Sequence, residues 1–70
     1  MKQRVQGCDI LKKQGIPYEW RTRGTSGEMV LREEAALPRR LRGLGFRLGH
    51  GLGAIRYLVY YQGRYCGIVV

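Results

Sequence analysis

The chain has 70 residues, which is room for one small domain and excludes a second. Its 13 Lys and Arg residues against five Asp and Glu give a net charge of +8 at pH 7, so an acidic partner is expected first. Hydrophobic residues make up 44% of the chain, which excludes a disordered tail, and eleven glycines predict many turns.

The apolar runs and the cysteines exclude several classes of protein. The N-terminus has no signal-peptide core and the longest apolar run is far shorter than a membrane span, so we expect a cytoplasmic chain without a membrane partner. Two cysteines and one histidine do not make a usual zinc site, so neither a metal nor another cofactor is expected. Without a secretory signal, buried thiols at Cys8 and Cys66 are favoured over a disulfide.

The first predicted element is a helix over residues 2–14, because apolar residues recur there at three- and four-residue steps. Lys12 and Lys13 place positive charge at the carbonyl end of this helix, where it is favourable. Gly15 then supplies a left-handed cap and Pro17 prevents continuation, so the helix ends there.

The second predicted element is a hairpin of strands 18–23 and 28–32, joined by a loop over 24–27. In this register Arg23 pairs with Glu28 and Glu19 pairs with Arg32 on one face. The other face is expected to supply most of the core, and it holds Tyr18, Trp20, Thr22, Met29 and Leu31.

A second helix is predicted from Glu33, whose acidic side chain suits the positive end of a helix. Pro38 is expected to kink or break this helix, and Gly43 ends it. Its basic residues near the negative end are Arg39, Arg40 and Arg42.

Residues 43–53 alternate between apolar or His at even positions and Gly or Arg at odd positions. This period of two predicts a strand over 44–48 with one nearly bare face, followed by a glycine-rich loop over 49–53. The spacing matches neither common phosphate-binding motif, so a structural role for the glycines is favoured. A weaker alternative is that the run admits a polyanion backbone beside Arg47 and His50.

A second hairpin is predicted from strands 55–61 and 65–70, turning at Gln62 and Gly63. One face would hold Ile55, Tyr57, Val59, Tyr61, Cys66, Ile68 and Val70, and the other Arg56, Leu58, Tyr60, Tyr65 and Val69. The predicted fold is therefore one small α+β domain over 1–70, with order α-β-β-α-β-β-β and two antiparallel hairpins.

The last strand is β-branched up to Val70 and has no Lys or Pro guarding its edge, which would be an aggregation hazard if exposed. Three arrangements would protect the edges of this strand. The strand is an inner strand, it pairs with a second copy to give a homodimer, or it pairs with the edge of a partner.

Charge and aromatic residues favour a nucleic-acid partner. Residues 38–70 hold six arginines and no acid, and the second hairpin interleaves cations with tyrosines, a pattern suited to phosphates and bases. An equally good alternative places Tyr57 and Tyr61 in the core and leaves Tyr60 and Tyr65 as a cross-strand pair. The candidate nucleic-acid-binding residues are Lys12, Lys13, Arg21, Arg23, Arg39, Arg40, Arg42, Arg47, Arg56, Tyr60, Arg64 and Tyr65.

The element order over residues 4–37, with Gly-Ile-Pro at 15–17 and Leu-Arg-Glu-Glu at 31–34, resembles excisionase-type winged-helix proteins of phages. This resemblance implies that the first helix enters the major groove and that the first hairpin is a wing beside the flanking backbone. The helix residues so implied are Lys2, Arg4, Lys12 and Lys13, and the wing residues are Arg21, Arg23, Thr25 and Ser26.

The leading hypothesis is a small, basic, non-enzymatic DNA-binding protein of phage or mobile-element type, with DNA favoured over RNA.

One alternative is a toxin-like, metal-independent endoribonuclease, because residues 55–61 resemble the penultimate strand of that toxin class. His50 would be its acid or base, and Arg56 and Tyr60 would stabilise and position the substrate. No carboxylate follows Glu34 to orient His50, so an exposed loop histidine is favoured and no catalytic residue is assigned. Another alternative is a basic inhibitor that binds an acidic protein or a ribonucleoprotein surface.

Overall fold

The computed structural model describes residues 7–24 and 26–70, and for Arg23 the main chain only. In this part of the chain the elements are α1 Gly7–Gln14, β1 Glu19–Arg23, β2 Ser26–Leu31, α2 Leu37–Gly43, β3 Phe46–His50, β4 Tyr57–Tyr61 and β5 Arg64–Val69. The predicted α+β class, element order and two antiparallel hairpins are confirmed. Neither described helix has the length and apolar character needed to cross a bilayer.

Several predictions fall on residues that lie outside this description. They are the part of the first helix before Gly7, the implied roles of Lys2, Arg4 and Thr25, and the contacts of the Arg23 side chain.

The five strands form one mixed sheet in the order β1-β2-β5-β4-β3. All neighbours are antiparallel except β2 and β5, which pair in parallel through Met29 with Gly67, Val30 with Ile68 and Leu31 with Val69. The C-terminal strand is therefore an inner strand, which is the first of the three arrangements expected for it. Because both of its edges are taken, strand pairing with a second copy would have to use β1 or β3.

Both helices pack on the same face of the sheet. Leu11 of α1 and Leu37 and Leu41 of α2 join one buried cluster with side chains from the sheet. The strand and loop members of this cluster are Ile16, Met29, Leu31, Phe46, Val59 and Val69. Ile68 is also buried but lies outside the cluster, because it points to the opposite face with its neighbours Val30 and Leu58. We call that opposite face, which no described helix covers, the open face.

The first hairpin is tighter than predicted. β1 pairs with β2 so that Arg23 lies opposite Ser26 and Arg21 opposite Glu28, and only two positions separate the innermost pair in the sequence. The predicted pairs of Arg23 with Glu28 and of Glu19 with Arg32 are therefore wrong by two positions. A shift of two keeps every side chain on its predicted face, since side chains alternate with a period of two.

The prediction that Trp20 is a core residue is wrong. Trp20 lies opposite Met29 on the helical side of the sheet, as the alternation predicted, but 55% of its surface is exposed. β1 is an edge strand, and the neighbouring strand buries Met29 and Leu31 in its place. Tyr18 precedes β1 and is half-buried.

The second helix begins at Leu37, and residues 33–36 are not helical as predicted from Glu33. Pro38 explains the difference, because a proline fits the first turn of a helix, where its missing N–H costs nothing. The acidic residues therefore lie before the helix, and its first turn holds none.

The C-terminal hairpin turns at Gln62 and Gly63 as predicted, and both residues have positive φ, of 53° and 78°. A bulge between Val59 and Tyr60 then shifts the pairing by one residue, so that Val59 pairs with Gly67. This shift moves Ile68 to the open face and Val69 into the core, the reverse of the predicted faces. β3 covers Phe46–His50, so His50 ends a strand where a loop was predicted, and residues 55 and 56 precede β4.

Candidate nucleic-acid interface

An aromatic pair stands on the open face. Tyr60 and Tyr65 lie opposite each other on β4 and β5, with ring centroids 5.9 Å apart in an edge-to-face arrangement. Arg47 of β3 lies directly opposite Tyr60 and is exposed. The alternative in which Tyr60 and Tyr65 form a cross-strand pair on the surface is thus the one that the fold adopts.

A carboxylate holds one side of this aromatic pair in place. The hydroxyl of Tyr65 donates a hydrogen bond to Oε1 of Glu28 at 2.5 Å. Oε2 of Glu28 accepts from Nε and Nη2 of Arg21 at 2.9 and 2.6 Å. Because Glu28 is only 8% exposed, these donors compensate the cost of burying its charge, and the network fixes the position of the Tyr65 ring.

A cleft of about 560 Å³ opens at the end of the sheet where β2 and β5 begin, next to the first described turn of α1. We call it the end cleft. It is lined by Gly7, Cys8, Trp20, Gly27, Met29, Tyr61, Gln62, Arg64, Tyr65 and Cys66. Its size is in the ordinary range for small-molecule sites.

The two cysteines are free thiols and both line the end cleft, half-buried against the core. Burial raises the pKa of the Cys66 thiol, and the nearby Cys8 raises it further. Cys66 therefore stays protonated at neutral pH and is a poor nucleophile. Burial also raises the pKa of Tyr18, with Cys8 again contributing.

The helical layer carries a separate group of cations, which we call the helical basic patch. All five of its members are exposed: Lys12, Lys13, Arg39, Arg40 and Arg42. Nη2 of Arg40 donates to the backbone oxygen of Gln14 at 3.4 Å, which joins the end of α1 to α2. Among the described residues no carboxylate forms an ion pair with any of these five cations.

The fold thus divides the predicted binding residues among several surfaces. Arg21, Arg47, Tyr60 and Tyr65 lie on the open face, and Arg64 lies beside them at the end cleft. Arg56 lies apart, with Nε 3.9 Å from Oε1 of Glu33. Alternation assigned Trp20 to the core, and Tyr61 was left between a core and a base-stacking role, so the sequence interpretation named neither as a binding residue.

A smaller cavity of about 470 Å³ contains the only histidine. His50 is exposed there, opposite Tyr57 on β4, and Glu33 and Arg56 line the same cavity. The expectation that no carboxylate is available near His50 overlooked Glu33, which is distant in sequence. Tyr60, assigned to the same site from the sequence, points to the open face instead.

No protein-family model matches the chain, and no curated protein or solved structure is significantly similar to it.

Proposed function

We propose that the protein is a small, non-enzymatic nucleic-acid-binding protein, with DNA as the favoured ligand. The observation that supports this most is the helical basic patch, in which five exposed cations have no ion-pair partner among the described residues. Unpaired surface cations repel one another, so a patch of this kind favours an extended anion that neutralises several of them together.

Two features favour nucleic acid over an acidic protein surface. Ten of the 13 cations are arginines, whose planar guanidinium group suits paired hydrogen bonds to phosphate oxygens. Exposed aromatic rings at Trp20 and Tyr65 add stacking surfaces that a phosphate backbone alone does not need. The recognition-helix role that the winged-helix resemblance implies for α1 stays a prediction.

Binding to duplex DNA is expected to weaken at least tenfold between about 50 and 200 mM salt, because arginines and lysines release condensed counterions from the phosphates. Fluorescence anisotropy of a labelled duplex across a salt series measures this. A salt-independent affinity, or no binding at low salt, would contradict the proposal.

Charge-reversal variants test whether the helical basic patch is the surface that binds duplex DNA. Reversing Arg39, Arg40 and Arg42 to Glu should weaken duplex binding more than reversing Lys12 and Lys13, since it removes more charge from the patch. The charge-matched control compares Lys12→Glu with Arg32→Glu, which makes the same change in net charge at an exposed cation outside the patch. Equal losses from these two single variants would mean that total charge, and not this patch, drives binding.

A second candidate function, an endoribonuclease, is favoured by one observation: Glu33, His50 and Arg56 line one cavity. In this reaction Glu33 accepts the proton of a ribose 2′-hydroxyl, whose oxygen attacks phosphorus. The bond from phosphorus to the 5′ oxygen breaks, and His50 acts as the general acid that gives a proton to that oxygen. Arg56 offsets the charge on phosphorus, and the products are a 2′,3′-cyclic phosphate and a 5′-hydroxyl, with no co-reactant.

The two candidate functions differ in one measurement. The nuclease hypothesis expects the wild-type protein to cleave labelled RNA to a 2′,3′-cyclic phosphate and to leave DNA of the same sequence intact. His50→Ala and Glu33→Gln should each abolish cleavage, whereas Leu52→Ala, at an exposed loop position, should not. If the wild-type protein leaves the RNA intact, the nuclease hypothesis is rejected and only the non-enzymatic proposal remains. Cleavage that persists in His50→Ala would assign the activity to another source.

A further inference from the structure

The end cleft has the chemistry of a site for one flat, anionic ligand. Among the ten described residues that line it, Arg64 is the only one with a full charge and none is acidic. Trp20, Tyr61 and Tyr65 supply aromatic surface in the same cleft. A ligand with a planar apolar part and a negative group matches both features.

Two of the three aromatic rings at this cleft are largely exposed to solvent. Trp20 is 55% exposed and Tyr65 is 48% exposed, and both border this one cleft. Large apolar side chains left in water forgo the stabilisation that burial gives, so a pair of them at one place marks a binding surface better than scattered ones do.

Each exposed ring also has a dedicated support. Gly27 lies under the Trp20 indole so closely that a Cβ atom there would be 2.2 Å from the ring. Any other residue at 27 would therefore displace the indole. The Tyr65 ring is held through its hydroxyl by Glu28, which Arg21 holds in turn. Rings that are fixed before binding lose less conformational freedom when a ligand stacks on them.

We propose that the end cleft binds an unpaired nucleobase of single-stranded nucleic acid, with Trp20 on the helical side and Tyr65 at the border with the open face as separate stacking surfaces, and Arg64 at the adjacent phosphate. A base within a duplex is already stacked on both sides and cannot enter a cleft, so this site distinguishes single strands from the duplex bound by the helical basic patch. The inference deepens the proposed nucleic-acid function and rests on it.

Trp20 is the only tryptophan of the chain, so its fluorescence reports on the cleft without labelling. A short oligodeoxythymidine at low salt is expected to quench the Trp20 emission in a saturable way. An abasic strand of the same length should bind through its phosphates, as measured by anisotropy, and leave the emission unchanged. A duplex of the same length should also bind without changing the Trp20 emission. Thymidine monophosphate should quench this emission only at a far higher concentration than the single strand.

Variants test the assignment by anisotropy of a labelled oligodeoxythymidine. Trp20→Leu and Tyr65→Ala should each weaken binding about fivefold or more, the lower end of what removing one base-stacking ring costs. Tyr65→Phe keeps the ring but removes its hydrogen bond to Glu28, so its affinity should fall less than that of Tyr65→Ala. The matched control is Leu52→Ala, which truncates an exposed apolar side chain on the loop at the other end of β4. Circular dichroism melts of each variant confirm that it is folded.

The outcomes separate this inference from the proposed function. If single strand, abasic strand and duplex bind equally and leave Trp20 unchanged, the cleft inference is overturned and the nucleic-acid proposal stands. Quenching by thymidine monophosphate at strand-like concentrations would reassign the cleft to free nucleotides and also overturns it. Saturable quenching by the single strand that is insensitive to salt supports the cleft and contradicts the charge-driven proposal. No binding of any strand at low salt overturns both.

Discussion

Gly67→Ala is expected to unfold the protein at room temperature, the largest single effect that we anticipate from one methyl group. A Cβ atom at this position would lie 2.1 Å from the backbone oxygen of Met29 and 2.7 Å from its nitrogen. Both atoms belong to β2, the parallel neighbour of β5 at the centre of the sheet. Overpacking usually costs about 1–3 kcal/mol, and here the obstacle is main chain, which cannot rotate away. A core this small supplies only roughly 3–5 kcal/mol.

The control for Gly67→Ala is Gly43→Ala. Gly43 ends α2, a Cβ atom there meets nothing within 4 Å, and its φ is not in the left-handed region. Alanine at 43 should leave the melting temperature unchanged or raise it slightly. Thermal melts followed by circular dichroism compare the two variants. A cooperative melt of Gly67→Ala within a few degrees of wild type would contradict the parallel contact between β2 and β5.

The turns and helix ends could be predicted from the sequence, because residues close to one another in the chain determine them. The turn at Gln62 and Gly63 was predictable because a two-residue hairpin loop needs positive φ, which Gly63 adopts without strain. The end of α1 was predictable for a similar reason: Gly15 has a φ of +73° and Ile16 donates to the backbone oxygen of Leu11.

Pairings between distant segments left no such signal. Nothing near Met29 or Gly67 in the sequence indicates that their strands lie side by side, and the bulge at Val59 exchanged the faces of Ile68 and Val69. No local signal marks the bulge, which accompanies the close approach of Gly67 to the main chain of β2. Alternation alone therefore assigned these faces wrongly.

The candidate site was found in part, for the same physical reason. Interleaved cations and tyrosines on one hairpin identified Tyr60, Arg64 and Tyr65, since neighbours on a hairpin stay neighbours in the fold. Trp20 and Glu33 were missed as functional candidates, because each joins its cavity only through the tertiary arrangement.

The contrast between Leu41→Ala and Trp20→Ala tests which residues form the core. Leu41 of α2 is fully buried, and truncating a buried leucine costs about 2–5 kcal/mol, which is comparable with the whole stability of a domain this size. Its melting temperature should fall by at least about 10 °C, or the cooperative transition should be lost. Trp20→Ala removes a side chain that is 55% exposed and should cost about 1 kcal/mol or less.

The same pair of variants separates stability from binding. Trp20→Ala should stay folded and still lose affinity for a single strand, because its ring borders the end cleft without filling the core. If Trp20→Ala instead unfolds while Leu41→Ala melts near wild type, the indole is a core side chain, and the cleft that it borders cannot be an open site. A folded Trp20→Ala with unchanged single-strand affinity would leave the core assignment intact and remove the indole from the binding surface.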